Sequence, residues 1–359
     1  MRNYAVAPGE YLAEWMEEHP YVTQAQLAER VGVSRKHINE VLNAKSSVSS
    51  DVALRLDRVT GIPANAWLLY QAQYDADCAR LSNREELAKY EYYISDNLGA
   101  YLRQVHATEA TRRNPGQLVS DYLDFVRCGT IDAFVRRCEV EIVSGFEFAA
   151  LRESSKSVDP AALLAWIAQA EKQDADGRRF ESDYSASKLL DVIPLVRRRS
   201  LSPDMEMLAD MRTILEDAGV TILYCAPPKN FPLHGVTYWV EGAPVVVFSE
   251  RRKKDGYITW AVFRELGHVL GDERGGDTYG LAKPKKQQKA EEKAANDFAK
   301  ETLFGESGLV PFHGLTRSAD IRRVAMEVGV APGVAVAAMH KNRMLPYNRC
   351  NDLLVDVAV

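Results

Sequence analysis

The stretch WAVFRELGHVL, residues 260–270, holds the residues of a metal-binding helix with one of them exchanged. In a helix that reads H-E-x-x-H the two histidines lie four apart on one face. Both imidazoles then reach a single Zn²⁺, and the glutamate beside the first acts as general base. Glu265 and His268 stand in that register, whereas Arg264 occupies the position of the first histidine. A guanidinium has no lone pair for a metal and keeps its proton in a protein. With one ligand lost and a fixed cation added, the pattern predicts poor retention of zinc and no catalysis through it.

A second set of residues has the spacing to read DNA. In VTQAQLAERVGVSRKHINEVLNAKS, residues 22–46, Thr23 and Gln26 form a capping box, and Leu27, Ala28 and Val31 form the apolar face of a short helix. Gly32 ends that helix and Ser34 caps the next, whose apolar residues Ile38, Val41 and Leu42 again fall at helical spacing. The two helices and their tight turn predict a helix-turn-helix. The second helix of such a motif lies in the major groove with its first residues toward base edges. Arg35, Lys36, His37 and Asn39 are therefore the candidate base readers, with Ser34 at the cap, while Gln24 and Lys45 suit phosphate contacts. An ordinary helix pair with a solvated face is the plainer alternative. The cap, the turn glycine and the polar face together favour DNA. Over residues 1–75 seven Lys/Arg stand against nine Asp/Glu, a balance of −2, so one copy should hold DNA weakly and a homodimer on two half-sites is expected.

The segments PGEYLAEWM, TQAQLAERVGVSRKHINEVLNAKS and ALRLDRVTGIPANAWLLYQAQYD together resemble the HigA-type antitoxins of the XRE (Cro/C1-type) helix-turn-helix family, over residues 7–75. The resemblance implies an all-α, lambda-repressor-like domain, a dimeric repressor of its own promoter and, often, a toxin protein as partner. One departure is Ala44, where such proteins usually carry glycine; Asn43 is expected to take the left-handed conformation in its place.

The elements that must position these residues divide the 359-residue chain into three expected domains. They are a helix-turn-helix domain at 1–76, a helical connecting region at 77–200 and an α+β domain at 201–359. In the middle region REELAKYEYYISDNLGAYLRQV, LVSDYLDFVRC and PAALLAWIAQAEKQ are the clearest amphipathic runs. The polar stretch EKQDADGRRFESDYSASK and the run Arg197, Arg198, Arg199 read as solvated connections near a boundary. From residue 201 the texture changes to the β-branched runs VTILYC, GVTYWV and PVVVFS, the last two joined as a hairpin through Glu241-Gly242-Ala243. A helix over Tyr257 to Leu270 follows, then one through KAEEKAANDFAKETLF. RRKKDG at 251–256 reads as a solvated loop and KPKKQQK at 283–289 as a flexible one. ADIRRVAMEVGVAPGVAVAAM has the outline of a second helix-turn-helix, but its second helix offers bases almost nothing polar and is expected to pack inside the fold.

Hydrophobic residues make up 46% and charged residues 26%, as in a folded globular protein, and the net charge of −5 shows no general excess of cations for nucleic acid. No apolar run approaches the ~18 residues of a membrane span, so no membrane partner is expected and the cytosol is the default location. The five cysteines are scattered and never spaced C-x-x-C, against a disulfide framework or a cysteine zinc site.

GVTYWVEGAPVVVFS, the Arg264 helix and EEKAANDFAKETL together resemble the ImmA/IrrE family of HExxH metallopeptidase-like proteins, over residues 205–345. The resemblance implies a zincin-like fold acting on XRE-type repressors. It makes Glu265 the general base, His268 the second ligand and Glu292 the third, with Arg264 at the first ligand position. In that setting Arg264 is expected to take over the charge role of the metal between Glu265 and Glu292. The plainer alternative has His268 as an interior histidine and Glu292 as a surface acid. No cofactor is expected; the alternative is a rescue in which His234, Asp272, Glu273 or His313 closes a shifted zinc site. Three functions compete: a DNA-binding repressor and antitoxin with an inactive or sensory peptidase-like domain, an active zinc metallopeptidase, and a toxin-binding module.

Overall fold

The computed structural model describes residues 4–138, 158–173, 184–233, 235–240, 242–249, 253–271 and 285–358. The chain divides into two compact units, residues 1–92 with 110–120, and residues 93–109 with 121–359.

The first unit contains five helices in succession, α1 (Pro8–Glu18), α2 (Gln24–Val31), α3 (Arg35–Leu42), α4 (Ser50–Thr60) and α5 (Ala64–Leu87). Local chemistry sets each start. Thr23 accepts from the Gln26 amide at 3.3 Å while the Gln26 side chain accepts from the Thr23 amide at 2.9 Å, a reciprocal cap on α2. Gly32 ends α2 at φ 75°, a left-handed conformation that costs glycine little, and Ser34 caps α3 by accepting from the His37 amide at 3.0 Å. Arg55 on α4 donates to the Gly32 carbonyl at 3.0 Å and clips the turn in place. Leu12, Leu27, Ile38, Val41, Leu56 and Trp67 meet in one core. Gly9 lets α1 lie against the end of α3, because a Cβ there would come 2.2 Å from the Val41 carbonyl oxygen.

One expectation fails in this unit. Ala44, at φ 55°, itself takes the left-handed position after α3, and Asn43 stays at φ −97° because its side chain is bonded back to Asn39. Residue 76 lies within α5, which runs on because no Gly or Pro interrupts the chain between Pro63 and Gly99.

Along the chain follow α6 (Asp96–Gln104), α7 (Pro115–Phe125), α8 (Ile131–Arg137), α9 (Pro160–Gln173), α10 (Ala186–Arg199) and α11 (Met207–Glu216). The amphipathic run from Arg84 onward is divided between two helices. A 3-10 segment, Ala88–Tyr93, follows α5, and Ser95 starts α6 afresh by capping the Leu98 amide at 3.3 Å. The arginine run is also not a solvated connection. It forms the last turn of α10, where Arg197 donates to the carbonyls of Leu303 and Gly329 and Arg199 pairs with Asp204 and Asp210.

The second unit holds a small mixed sheet in the order β1-β3-β2. β1 (Thr221–Cys225) runs parallel to β3 (Ala243–Ser249), and β2 (Gly235–Val240) pairs antiparallel with β3 in the hairpin register. Ile222, Val246 and Phe248 point into the helical core, while Leu223, Val245 and Val247 alternate to the other face and are buried as well. On that unit's far side α9 runs beside β1, where the buried Trp166 donates its indole N–H to the Cys225 carbonyl at 2.9 Å. The helix that carries Arg264, α12 (Asp255–Gly271), is buried almost all round and packs against β2, α13 (Lys285–Phe304) and α15 (Pro332–Lys341).

Asp255 and Gly256 thus open a helix rather than closing a loop, and residues 285–289 belong to α13 rather than to a flexible run. α14 (Ser318–Val328) precedes α15, and α15 is buried from Gly333 to His340. This excludes it as a reading helix, as its lack of polar residues implied. Glu241, Arg251, Arg252, Lys283, Pro284 and residues 174–183 of the polar stretch lie outside the described residues.

Gly9→Ala should gain at most about 1 kcal/mol of helix propensity and lose more to the clash with Val41 and Leu42, since overpacking typically costs about 1–3 kcal/mol. Amide hydrogen exchange in α1 and α3 should speed up while that of α12 stays unchanged. Unaltered α3 protection would show that the contact does not hold the helix.

Candidate functional site

On α3 the apolar Ile38 and Val41 face the core, and Arg35, Lys36 and Asn39 stand exposed on the opposite face. Lys36 lies 3.7 Å from Glu40 one turn on, an exposed pair of small energetic worth that leaves its ammonium available. His37 differs from its neighbours: it is half-buried, and its Nε2 is buried without a hydrogen-bond partner among the described residues. Ser34 uses its hydroxyl oxygen for the cap and keeps an O–H to donate. Gln24 is the first residue of α2, half-buried, and Lys45 is exposed just past α3, its amide bonded to the Glu40 carbonyl at 2.7 Å. Gly9 and Arg55, which hold α3 and its turn, carry no local sequence signal for that role.

The second candidate site is built across α12, α13 and β2. Arg264 is 1% exposed and Glu265 not at all. The guanidinium donates through Nη1 to Oε1 of Glu265 and through Nη2 to both carboxylate oxygens of Glu292, at 2.6 and 2.8 Å. The Thr237 hydroxyl, from β2, donates to the other oxygen of Glu265 at 2.7 Å. His268 Nε2 lies 3.3 Å from Oε1 of Glu292. α13 can come this close because Gly267 offers no side chain; a Cβ there would stand 3.0 Å from the Ala295 Cα. At the rim Lys341 donates to Asn296 at 2.9 Å, its Nζ 4.9 Å from the centre of the Trp260 ring.

Burial acts to raise the Glu292 pKa, but the contacts with His268 and Arg264 outweigh it and hold the carboxyl below its ordinary range. Glu292 is therefore ionised and paired. Glu265 accepts a hydrogen bond at each oxygen and has no exposed surface, so its remaining lone pairs are closed off from solvent water that it could deprotonate. The arrangement does not fit a zinc ion: a permanent cation stands at the first ligand position, and the carboxylate that would serve as third ligand is bonded to it through both oxygens. Among the described residues no group of three or more His, Cys, Asp or Glu is placed to hold a metal. His313 stands exposed after the turn Val310–Phe312, and His234, Asp272 and Glu273 lie outside the described residues. No helix among the described residues is long and apolar enough to cross a membrane.

Two capped helices across a left-handed glycine, with a polar face on the second, define a helix-turn-helix protein. Residues 13–67 match the helix-turn-helix family. The protein named Virulence-associated protein I, from Dichelobacter nodosus, is 36% identical over 75 residues, which are 21% of this chain and 69% of that one. A solved structure, an addiction module antidote protein of a HigA family from Coxiella burnetii, is 30% identical, with 25% of this chain and 95% of that chain covered and a TM-score of 0.23. Through its N-terminal unit the chain belongs to the XRE family of helix-turn-helix proteins, a class of DNA-binding regulators.

Arg264→Met should strip Glu265 of the cation bonded to it inside the fold, and breaking a buried pair from one side costs about 3–5 kcal/mol. Chemical denaturation should show that loss in the second unit, and Arg264→Met with Glu265→Gln should recover much of it. A single variant as stable as the wild type would mean that the guanidinium does not balance Glu265.

Proposed function

We propose that the chain is a sequence-specific transcriptional regulator that lays α3 in the major groove and represses from an operator at its own promoter. The observation that carries the reading is the exposed row Arg35, Lys36 and Asn39 on a helix capped and clipped within the family-matched segment. Arg and Lys suit guanine and Asn suits adenine, while Gln24 and Lys45 suit phosphates and Ser34 stands at the cap. His37 contributes less, its Nε2 being buried. The balance of −2 over residues 1–75 makes a single copy a weak binder, so the reading includes a homodimer on two half-sites. The likeness of residues 7–75 to HigA-type antitoxins supports a toxin protein as a further partner.

For the second unit, the reading is a zincin-like, ImmA/IrrE-type domain that has kept its pocket elements and lost their chemistry. Arg264 fills the place of the metal and closes the carboxylates onto itself. What remains is a rigid body suited to sensing or to gripping a partner. The geometry around Glu265 speaks against the alternative of an active peptidase.

Arg35→Ala with Lys36→Ala should abolish preference for the selected operator, each base contact being worth about 1–3 kcal/mol of discrimination. Gln24→Ala should weaken all sequences alike. Fluorescence anisotropy across a salt series separates the two outcomes, and operator affinity untouched by the double substitution would refute the placement of α3.

A further inference from the structure

Asn43 is the first residue past α3, and its side chain turns back along the exposed face toward Asn39. Its Nδ2 lies 2.7 Å from the backbone carbonyl oxygen of Asn39 and 3.2 Å from Asn39 Oδ1. A backbone carbonyl only accepts, so the Asn43 amide must present its amino group there. With that nitrogen fixed as the donor, the Asn39 atom beside it must be the acceptor, Oδ1. The orientation of an exposed amide is thus dictated in two steps by a backbone atom that cannot change its role. The Asn39 amino group is left facing outward, with no partner among the described residues, on the same face as Arg35 and Lys36.

This orientation matters for readout. Adenine shows the major groove one acceptor, N7, and one donor, the N6 amino group, and an asparagine amide meets both. Guanine shows two acceptors, N7 and O6, so an amide whose oxygen cannot turn away is repelled at O6. An amide free to flip or rotate can offer its amino group to either purine. Oδ1 of Asn39 keeps a second lone pair beyond the bond from Asn43, so the pairing does not block an adenine contact.

We propose that Asn43 is a positioning residue for base readout: it locks the amide of Asn39 in one orientation and thereby sets a preference for adenine over guanine at the base pair that Asn39 meets. The inference rests on the proposed docking of α3. Asn43 itself need not touch DNA.

The test uses the full chain and duplexes selected by the wild type from a random pool. Every single-base variant of the selected duplex is then measured by anisotropy with wild type, Asn39→Ala, Asn43→Ala and Asn43→Asp. Asn39→Ala identifies the base pair concerned. There the wild type should prefer adenine to guanine on the order of tenfold, within the range of a bidentate contact. Asn43→Ala should reduce that ratio to about twofold while ratios at the other positions stay as they are. Asn43→Asp offers only acceptors, so it should turn the Asn39 amino group inward and lose the adenine preference, with a uniform weakening from its added charge. Should Asn43→Ala fold poorly, Asn43→Asp and the wild-type side-chain amide resonances give the answer, because the Asn43 amide protons should show the slowed exchange of a hydrogen-bonded group. If Asn43→Ala or Asn43→Asp leaves the adenine-to-guanine ratio at its wild-type value, the positioning role is overturned while the DNA reading stands. If the wild type selects no sequence, the DNA reading fails and the inference with it.

Discussion

The pairing of one buried guanidinium with two carboxylates is the constraint on which the second unit depends. Arg264 sits in the middle of a helix that is buried almost all round, and a lone charge there would cost several kcal/mol. Its neighbours on β2 and α13 are arranged to prevent that: Thr237 and Arg264 share the oxygens of Glu265, and Glu292 reaches in from α13 to close the set. The network therefore ties three elements, α12, α13 and β2, at one point. Buried ion pairs add little net stability compared with apolar packing. What this one supplies is a fixed geometry, in which each carboxylate oxygen of Glu265 is hydrogen-bonded and shielded from solvent.

The first unit is organised by a different constraint, the closeness of helices around the α2–α3 turn. Gly32 supplies the left-handed turn, Arg55 clips it from α4, and Gly9 lets α1 press on the end of α3. Each contact fixes the attitude of a helix whose outer face carries the polar residues. Overall charge contributes nothing to that attitude, and it opposes nucleic acid. The proposed reading of DNA therefore rests on position, on a few side chains of a helix held at its turn and at its end.

Much of this was legible in the residues. The capping box at Thr23 and Gln26, the cap at Ser34 and the turn glycine are local signals, and local signals suffice for short helices. The hairpin of β2 and β3 was visible as two β-branched runs about a glycine, and the pairing of Arg264 with Glu265 and Glu292 was expected from their charges and spacing. What escaped were features set by contact at a distance. Asn43 was expected in the left-handed conformation, yet a side-chain bond to Asn39 holds it elsewhere and passes that conformation to Ala44. The arginine run at 197–199 looked like a solvated linker because its partners, Leu303, Gly329 and Asp210, are remote or lie beyond the next turn. Composition also gave no sign of the break between α5 and α6, which depends on the cap at Ser95.

Zinc titration of this chain by isothermal calorimetry, with metal content of the purified protein measured alongside, separates a pocket closed by Arg264 from a working zinc site. The wild type should take up no stoichiometric zinc, and Arg264→His, which places two imidazoles four residues apart beside Glu292, should gain a site of one zinc per chain. One tightly held zinc in the wild type, accompanied by proteolysis that disappears with Glu265→Gln, would contradict the closed pocket.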